Sequence, residues 1–513
     1  MKIKSLWVSE YKNLKNQTFT FNKGLTSLII GQNGLGKSNL LEIIVLILKE
    51  LDLAANEDYF FSAKTNIYFL FKIQYECRDS ILTIEKNSSS LLIERHDLNI
   101  NRDIKLTFNQ LKVNKHLYLP DFVIGYYSGE NKRIKGLFGK HAEKRINNIK
   151  NNKNSKFPTL GKFFFTDQNL GELLFFTLWV FQNDKEYAEK IKELFQKYVG
   201  VEANTKVNIT FKNPEFSKNY PDKNADLLVE NIQNDVENPF WGIQGKLDKF
   251  LRLLYDNNSS TSLPTAYVDD KNNEEILLLD KINFDSLKDD LAKDFPTPAD
   301  LFDVLHAADT IGIIKEIDSV ISKNGARINH NFKELSEGEQ QILTILGLLL
   351  LTGKSDSLYI FDEPDTHLNP IWQRQFINLL KEFNLDDANS QILVATHSPL
   401  IVQNTKNANL LLLRKEGDNV VIDDGNHIVE NWRIDQVLVS EYFDLPTARP
   451  SNLDIYMETR EEILKKEEIT ESDELKLKEF QNDFGVFPTG ETVNDIKAML
   501  LIRKITEKID DKT

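Results

Sequence analysis

The sequence predicts an α/β protein with an antiparallel β lobe, a compact, mostly helical insertion lobe and a C-terminal helical tail. Three observations carry that expectation. The apolar run Leu25 to Ile30 enters a glycine-rich loop, Gly31-Gln32-Asn33-Gly34-Leu35-Gly36-Lys37-Ser38, and a helically spaced apolar series, Asn39 to Leu51, leaves it. Two further apolar runs, Leu358 to Phe361 and Gln391 to Thr396, end in charged or polar residues, the pattern of buried parallel strands with chemistry at their carboxyl ends. Short alternating runs between Asn66 and Phe108, such as Ile67, Phe69, Phe71 and Ile73, read as an antiparallel sheet.

Along the chain, Met1 to Val8 alternates as a strand, and Phe19 and Phe21 continue the pattern before the glycine loop. Phe122 to Tyr127 reads as a strand ending in Ser128-Gly129-Glu130. The insertion that follows carries a helical stretch at Leu170 to Tyr198, a strand at Lys206 to Phe211, and helical patches at Trp241 to Tyr255 and Ala299 to Leu305. It has no sustained heptads, which predicts a compact lobe instead of a coiled-coil arm. A hairpin-like run, Ile314 to Ile328, leads to a helix at Glu339 to Leu351. Short strands at Leu410 to Leu413 and Val420 to Ile422 precede a charged tail in which Thr492 to Asp495 reads as a capping box.

With 513 residues and a net charge of −15, the chain is acidic, which excludes a globally basic nucleic-acid surface. One local run departs from this: Lys132, Arg133, Lys135, Lys140, Lys144 and Arg145 are opposed only by Glu143. That run reads either as a solvated, mobile loop or as a DNA contact. The longest apolar run, Ile342 to Leu351, contains a glycine and is shorter than a membrane span, and the N-terminus lacks the form of a signal peptide, so a cytoplasmic protein is expected. A single cysteine, Cys77, excludes an internal disulfide or a cysteine zinc site and is expected to be a buried small hydrophobe.

The glycine loop has the form G-x-x-x-x-G-K-S of a phosphate-binding loop, delivered by a buried strand and closed by a helix start that aims N–H groups at phosphate. Asn33, Gly34, Gly36 and Asn39 would wrap the nucleotide phosphates, Lys37 would neutralise the β- and γ-oxygens, and Ser38 would ligate Mg²⁺. Asp362 and Glu363 follow a buried strand, where lone charges are costly unless paired or metal-bound. Asp362 is read as the Mg²⁺ partner and Glu363 as the base for an attacking water. Ser336, Gly338 and Glu339 open the helix after Leu335: Ser336 and Glu339 fit a capping box, and the same helix start can take an anion.

In linear order these segments resemble the ABC-type P-loop ATPases. Leu335-Ser336-Glu337-Gly338-Glu339 resembles their signature, with Glu337 where glycine is usual; Glu363-Pro364-Asp365-Thr366-His367-Leu368-Asn369-Pro370 resembles the exit of the acidic strand and the D-loop; Ala395-Thr396-His397-Ser398-Pro399 resembles the switch segment. The resemblance implies ATP and Mg²⁺ as cofactors, a homodimer or higher oligomer closed by an ATP sandwich, Ser336 and Gly338 reaching a partner's γ-phosphate, and His397 sensing that phosphate. It also implies a metal-ligating glutamine, for which Glu130 stands at the matching place and Gln74 is a poorer match.

Tyr11-Lys12-Asn13-Leu14 ahead of the loop resembles the RecF, SMC and OLD-like branch. The segments from Asn431 to Leu438, Phe443 to Pro450 and Phe487 to Thr492 resemble the PtuA family, ATPases of Septu anti-phage systems that act with an HNH nuclease. The expected organisation is an ATPase half with the phosphate loop and β lobe at 1–130, the insertion lobe at 131–313, the second ATPase half at 314–430, and a tail at 431–513 that could dock a partner. No nuclease site of its own is expected. The rival expectations are a RecF-like DNA-repair clamp and a scaffold in which ATP is a structural ligand without turnover.

Overall fold

The strand that feeds the phosphate loop lies in the middle of a seven-stranded sheet in the computed structural model. The strand order across this sheet is Asn419–Asp423, Asn409–Glu416, Thr26–Gly31, Gln391–Ala395, Ser357–Asp362, Phe122–Tyr127 and Phe163–Thr166. All neighbours run parallel except the first pair. Thr26–Gly31, Ser357–Asp362 and Gln391–Ala395 are buried at every position, which explains their unbroken apolar character: a parallel sheet is covered on both faces. The register sets Asp362 beside Ala395 and Tyr127, and Leu413 beside Gly31, so the carboxyl ends of the central strands share one edge. The structure describes residues 1–21, 24–129, 133–151, 162–166, 170–214, 225–234, 236–258, 265–269, 271–272, 274–280, 282–323, 329–353, 356–384, 390–404, 408–417, 419–423, 429, 432–445, 447–448, 450–466, 469–484 and 493–510. Glu130, Lys132, the tail motif at 487–492 and the capping residue expected at Thr492 lie outside them.

The helix after the loop, Lys37–Leu53, is buried on nearly all sides because it lies between two sheets. One continuous core joins its Leu40, Ile44 and Leu48 to Ile29, Ile360 and Leu393 of the parallel sheet and to Leu6, Phe71 and Ile73 of a second one. That second sheet is the antiparallel lobe expected from the alternating runs, in the order Leu14–Thr20, Lys2–Tyr11, Phe71–Cys77, Ser80–Lys86, Leu91–Asp97, Arg102–Leu106. Cys77 is buried in it as a free thiol.

The insertion is helical but contains more sheet than its sequence pattern suggested. Val201–Lys212 is the centre of a five-stranded antiparallel sheet ordered Thr265–Asp269, Glu274–Leu279, Val201–Lys212, Ile314–Lys323, His330–Asn331. This sheet runs across the 313/314 position. The helical stretch read over Leu170 to Tyr198 is helical in pieces, with Gly171–Val180 separated from Ala188–Glu193, which runs on into a π-helix at Leu194–Val199. The aromatic residues that made the stretch look continuous pack as a cluster across the break, with Trp179 stacked on Phe195 at 5.8 Å.

The chain divides into two compact units, Met1–Glu430 and Asn431–Thr513. The second has its own small core of Tyr456, Ile463, Leu477, Ile496 and Leu500, contributed by helices Asp454–Leu464, Glu471–Phe484 and Val493–Asp510. Among the described residues, no helix is long and apolar enough to cross a membrane.

Candidate nucleotide site

The phosphate loop is shaped by its glycines and clamped by an asparagine. Gly36, with φ of 104°, caps helix Lys37–Leu53 in a left-handed conformation, and a Cβ there would meet Asn13 Oδ1 at 2.7 Å. Asn13, in the turn between the first two strands, donates to the Gly34 carbonyl at 2.7 Å and accepts from Asn39 Nδ2 at 2.6 Å. The turn therefore fixes the loop that the nucleotide would touch. Asn39 is a predicted ATP-binding residue; in this structure it ties the start of the helix to that clamp.

Lys37 is buried at the base of the loop and donates to the carbonyls of Gly31 at 2.8 Å and Gln32 at 3.3 Å. Burial pushes its pKa down to about 8, against the opposing pull of Glu363, Asp362 and Asp365. Its Nζ also stands 3.4 Å from His397 Nδ1, and His397 Nε2 stands 3.4 Å from Glu363 Oε1. Burial, with the Lys37 charge adding to it, holds His397 below its ordinary range, which favours a neutral imidazole bridging cation and carboxylate. Strands that lie far apart in sequence thus bring Lys37, His397 and Glu363 into one row.

Asp362 is buried, and its desolvation raises its carboxyl to about 6 although Ser38 hydrogen-bonds to it. Among the described residues its buried Oδ1 has no hydrogen-bond partner. A buried acceptor left over beside a hydroxyl and a second carboxylate fits the hard-oxygen donor set of Mg²⁺, which Ser38 and Asp362 would hold and which would offset phosphate charge. Glu363 has an unusual backbone for a non-glycine residue, with φ of 51°. Its N–H donates to Ala395 O at 2.8 Å, and its carbonyl accepts from Ser128 Oγ at 2.6 Å and Thr366 Oγ1 at 3.0 Å. Those three bonds fix the backbone of Glu363, and its carboxylate stands beside His397. Thr396 further secures the following turn by donating to Asp365 Oδ1 at 2.6 Å.

The signature residues sit on their own helix. Ser336 Oγ accepts from Glu339 N at 3.3 Å and Glu339 Oε2 accepts from Ser336 N at 2.8 Å, which completes the capping box read from sequence. Gly338 is required by packing: a Cβ there would stand 2.7 Å from the carbonyl oxygen of His367. Among the described residues, no hydrogen bond joins Ser336, Gly338 or Glu339 to the phosphate loop of the same chain.

The basic run does not form one surface. Arg145 is buried, donating from Nη2 to Asp303 Oδ1 at 2.5 Å and from Nη1 to His306 Nδ1 at 2.8 Å. Burial and the guanidinium hold His306 neutral, with a pKa near 3. Arg145 is thus a tie between helices Arg133–Asn151 and Pro298–Thr310, so its assignment to a nucleic-acid patch is corrected. Counting charge along the chain cannot see a partner so distant in sequence. Replacing Arg145 with methionine should strand Asp303 and cost about 3 kcal/mol, visible as a lowered thermal midpoint; an unchanged midpoint would refute the tie. Lys135, Lys140 and Lys144 remain exposed.

Arg133 is exposed but is engaged at the edge of the candidate site. It lines a small cleft with Ser38, Tyr127, Ile134, Asp362 and Glu363. Its Nε is 2.6 Å from Glu42 Oε1, and its Nη2 donates to Asn39 Oδ1 at 2.6 Å. Gln74, considered for the metal-ligating glutamine, lies in the antiparallel sheet and donates to Thr83 at 3.2 Å. Asn13, Ser128 and Thr366 lie inside segments recognised from sequence but were given no role of their own, and Arg133 was assigned to the basic run and not to this cleft.

The family described as "AAA domain, putative AbiEii toxin, Type IV TA system" matches residues 210–403, a span that holds the signature, Asp362, Glu363 and His397 but begins after the phosphate loop. The chain is 22% identical over 433 residues to "Retron Vc95 probable ATPase" of Vibrio cholerae serotype O1 biovar El Tor, covering 78% of this chain and 71% of that protein. It is 30% identical over 172 residues to "Protein ea59" of Escherichia phage lambda, covering 33% of this chain and 30% of that protein. Among solved structures, an SMC head bound to the C-terminal winged-helix domain of ScpA covers 82% of this chain and 98% of its own at 12% identity and a TM-score of 0.34. The SMC head domain from Thermotoga maritima covers 83% of this chain and 100% of its own at 12% identity and a TM-score of 0.33. The assembled loop, carboxylate pair and histidine, with the AAA-domain match and the likeness to a retron probable ATPase, support an ATPase.

Proposed function

We propose that this chain is the ATP-binding and ATP-hydrolysing subunit of a bacterial anti-phage defence complex, in which two copies close over two ATP molecules and control an HNH-type nuclease supplied in trans. The observation that carries the ATPase reading is the row from Lys37 through His397 to Glu363, set beside the Oδ1 of Asp362, which has no hydrogen-bond partner among the described residues. Likeness to a retron ATPase favours a defence role, and the tail's resemblance to the PtuA family favours the nuclease partner. Burial of Arg145, which withdraws it from the basic run, weighs against the rival DNA clamp.

The signature geometry favours closure. The start of this helix, capped by Ser336 and Glu339, makes no hydrogen bond to its own phosphate loop among the described residues and would take a phosphate from a second copy, since a helix N-terminus favours negative charge. In a Glu363→Gln background that retains nucleotide, Mg·ATP should double the mass seen by light scattering. Ser336→Arg should keep the chain monomeric under the same conditions. Its lost cap costs only about 1 kcal/mol, so the variant remains folded. A Glu363→Gln protein that stays monomeric with bound ATP would sink the dimer switch.

A further inference from the structure

Glu42 lies on the phosphate-loop helix with its carboxylate almost wholly enclosed, yet two cations serve it. Lys12 Nζ stands 2.5 Å from Oε2, Arg133 Nε stands 2.6 Å from Oε1, and Tyr11 donates its hydroxyl to Oε2 at 3.0 Å. One buried carboxylate needs one cation and its hydrogen bonds. Arg133 can therefore depart without stranding Glu42, because Lys12 and Tyr11 remain. The guanidinium is also placed to depart: it is half exposed, lines the cleft with Ser38, Asp362 and Glu363, and contacts Asn39 one residue beyond Ser38.

We propose that Arg133 reads the terminal phosphate of ATP held in its own chain, exchanging its Glu42 and Asn39 contacts for phosphate oxygens. The proposal rests on the ATP-site reading above. A planar guanidinium suits this exchange, since its fork matches two phosphate oxygens as readily as a carboxylate and an amide. The exchange also has a mechanical consequence. Arg133 opens helix Arg133–Asn151, and Arg145 on that helix is locked to Asp303 and His306 of Pro298–Thr310. A shift at the phosphate end is carried by a rigid helix into the insertion lobe.

The test measures Mg·ATP and Mg·ADP affinities by calorimetry for the full chain and its Arg133→Ala, Arg133→Lys and Lys37→Ala variants. Arg133→Ala should weaken ATP by about 10- to 100-fold while ADP stays within about threefold, and Arg133→Lys should recover part of the difference. ATP should also slow hydrogen exchange over residues 133–149 in the wild type, ADP should not, and Arg133→Ala should lose that response. Equal weakening of both nucleotides, or unchanged ATP affinity, would overturn the proposal and leave the ATP site intact. A wild type that binds neither nucleotide, or a Lys37→Ala variant that binds both normally, would overturn the ATP-site reading and the Arg133 role with it. If the alanine variant does not fold, the lysine variant carries the same comparison of ATP with ADP.

Discussion

Lys37→Ala is expected to weaken Mg·ATP binding by about 100-fold or more, because a charge-assisted contact in a partly dry site is lost along with the cation that balances three acids. The Lys37 ammonium is held by the carbonyls of Gly31 and Gln32, which are weak acceptors beside a phosphate. Its pKa of about 8 shows that burial is not fully offset by Glu363, Asp362 and Asp365. The folded pKa lies below the ordinary lysine range, so the unfolded chain binds more protons in that window and this group adds stability as pH rises through it. A bound triphosphate restores the charge. ATP binding above pH 8 should therefore take up a proton, and affinity should fall as pH rises past that point. Calorimetry in buffers of different ionisation enthalpy reads the uptake directly. Lys37→Ala should show neither the affinity nor the uptake, whereas a variant that kept both would remove Lys37 from the site.

The placing of the glycine loop, the carboxylate pair and His397 at strand ends was legible because each is a short contiguous segment whose strand or helix context can be read locally. The central sheet was legible for the same reason: buried parallel strands such as Leu358 to Phe361 announce themselves as unbroken apolar runs. What escaped were contacts between segments. Arg133 and Arg145 look alike in a charge run, but one borders the nucleotide cleft and the other is buried against Asp303, 158 residues away. The broken helix at Leu170 to Tyr198 was hidden because its apolar residues serve an aromatic cluster instead of one helical face. The sheet around Val201–Lys212 was underread because its partners come from both sides of a long helical stretch.

Glu363→Gln should lower steady-state phosphate release by about 10²- to 10⁴-fold, the usual contribution of a positioned general base, with ATP affinity kept within about threefold. The substitution is nearly isosteric, and the backbone at φ of 51° is fixed by bonds from Ser128 and Thr366 and to Ala395, none of which involves the carboxylate. The side chain therefore stays in place and only its charge and basicity are lost. His397 should follow, since Glu363 is the group that raises its proton affinity; the imidazole becomes still harder to protonate in the variant. Single-turnover assays separate this loss from slow product release, and equal, near-zero rates in wild type and variant would instead favour the scaffold in which ATP is not turned over. The neighbouring carboxylate provides the contrast. Asp362→Asn keeps the shape but removes the anionic oxygen that fits Mg²⁺, so its defect should appear first in metal-dependent ATP affinity. Two adjacent acids on one strand end should thus divide cleanly, Asp362 in binding and Glu363 in turnover, an outcome that a merely structural acid pair would not produce.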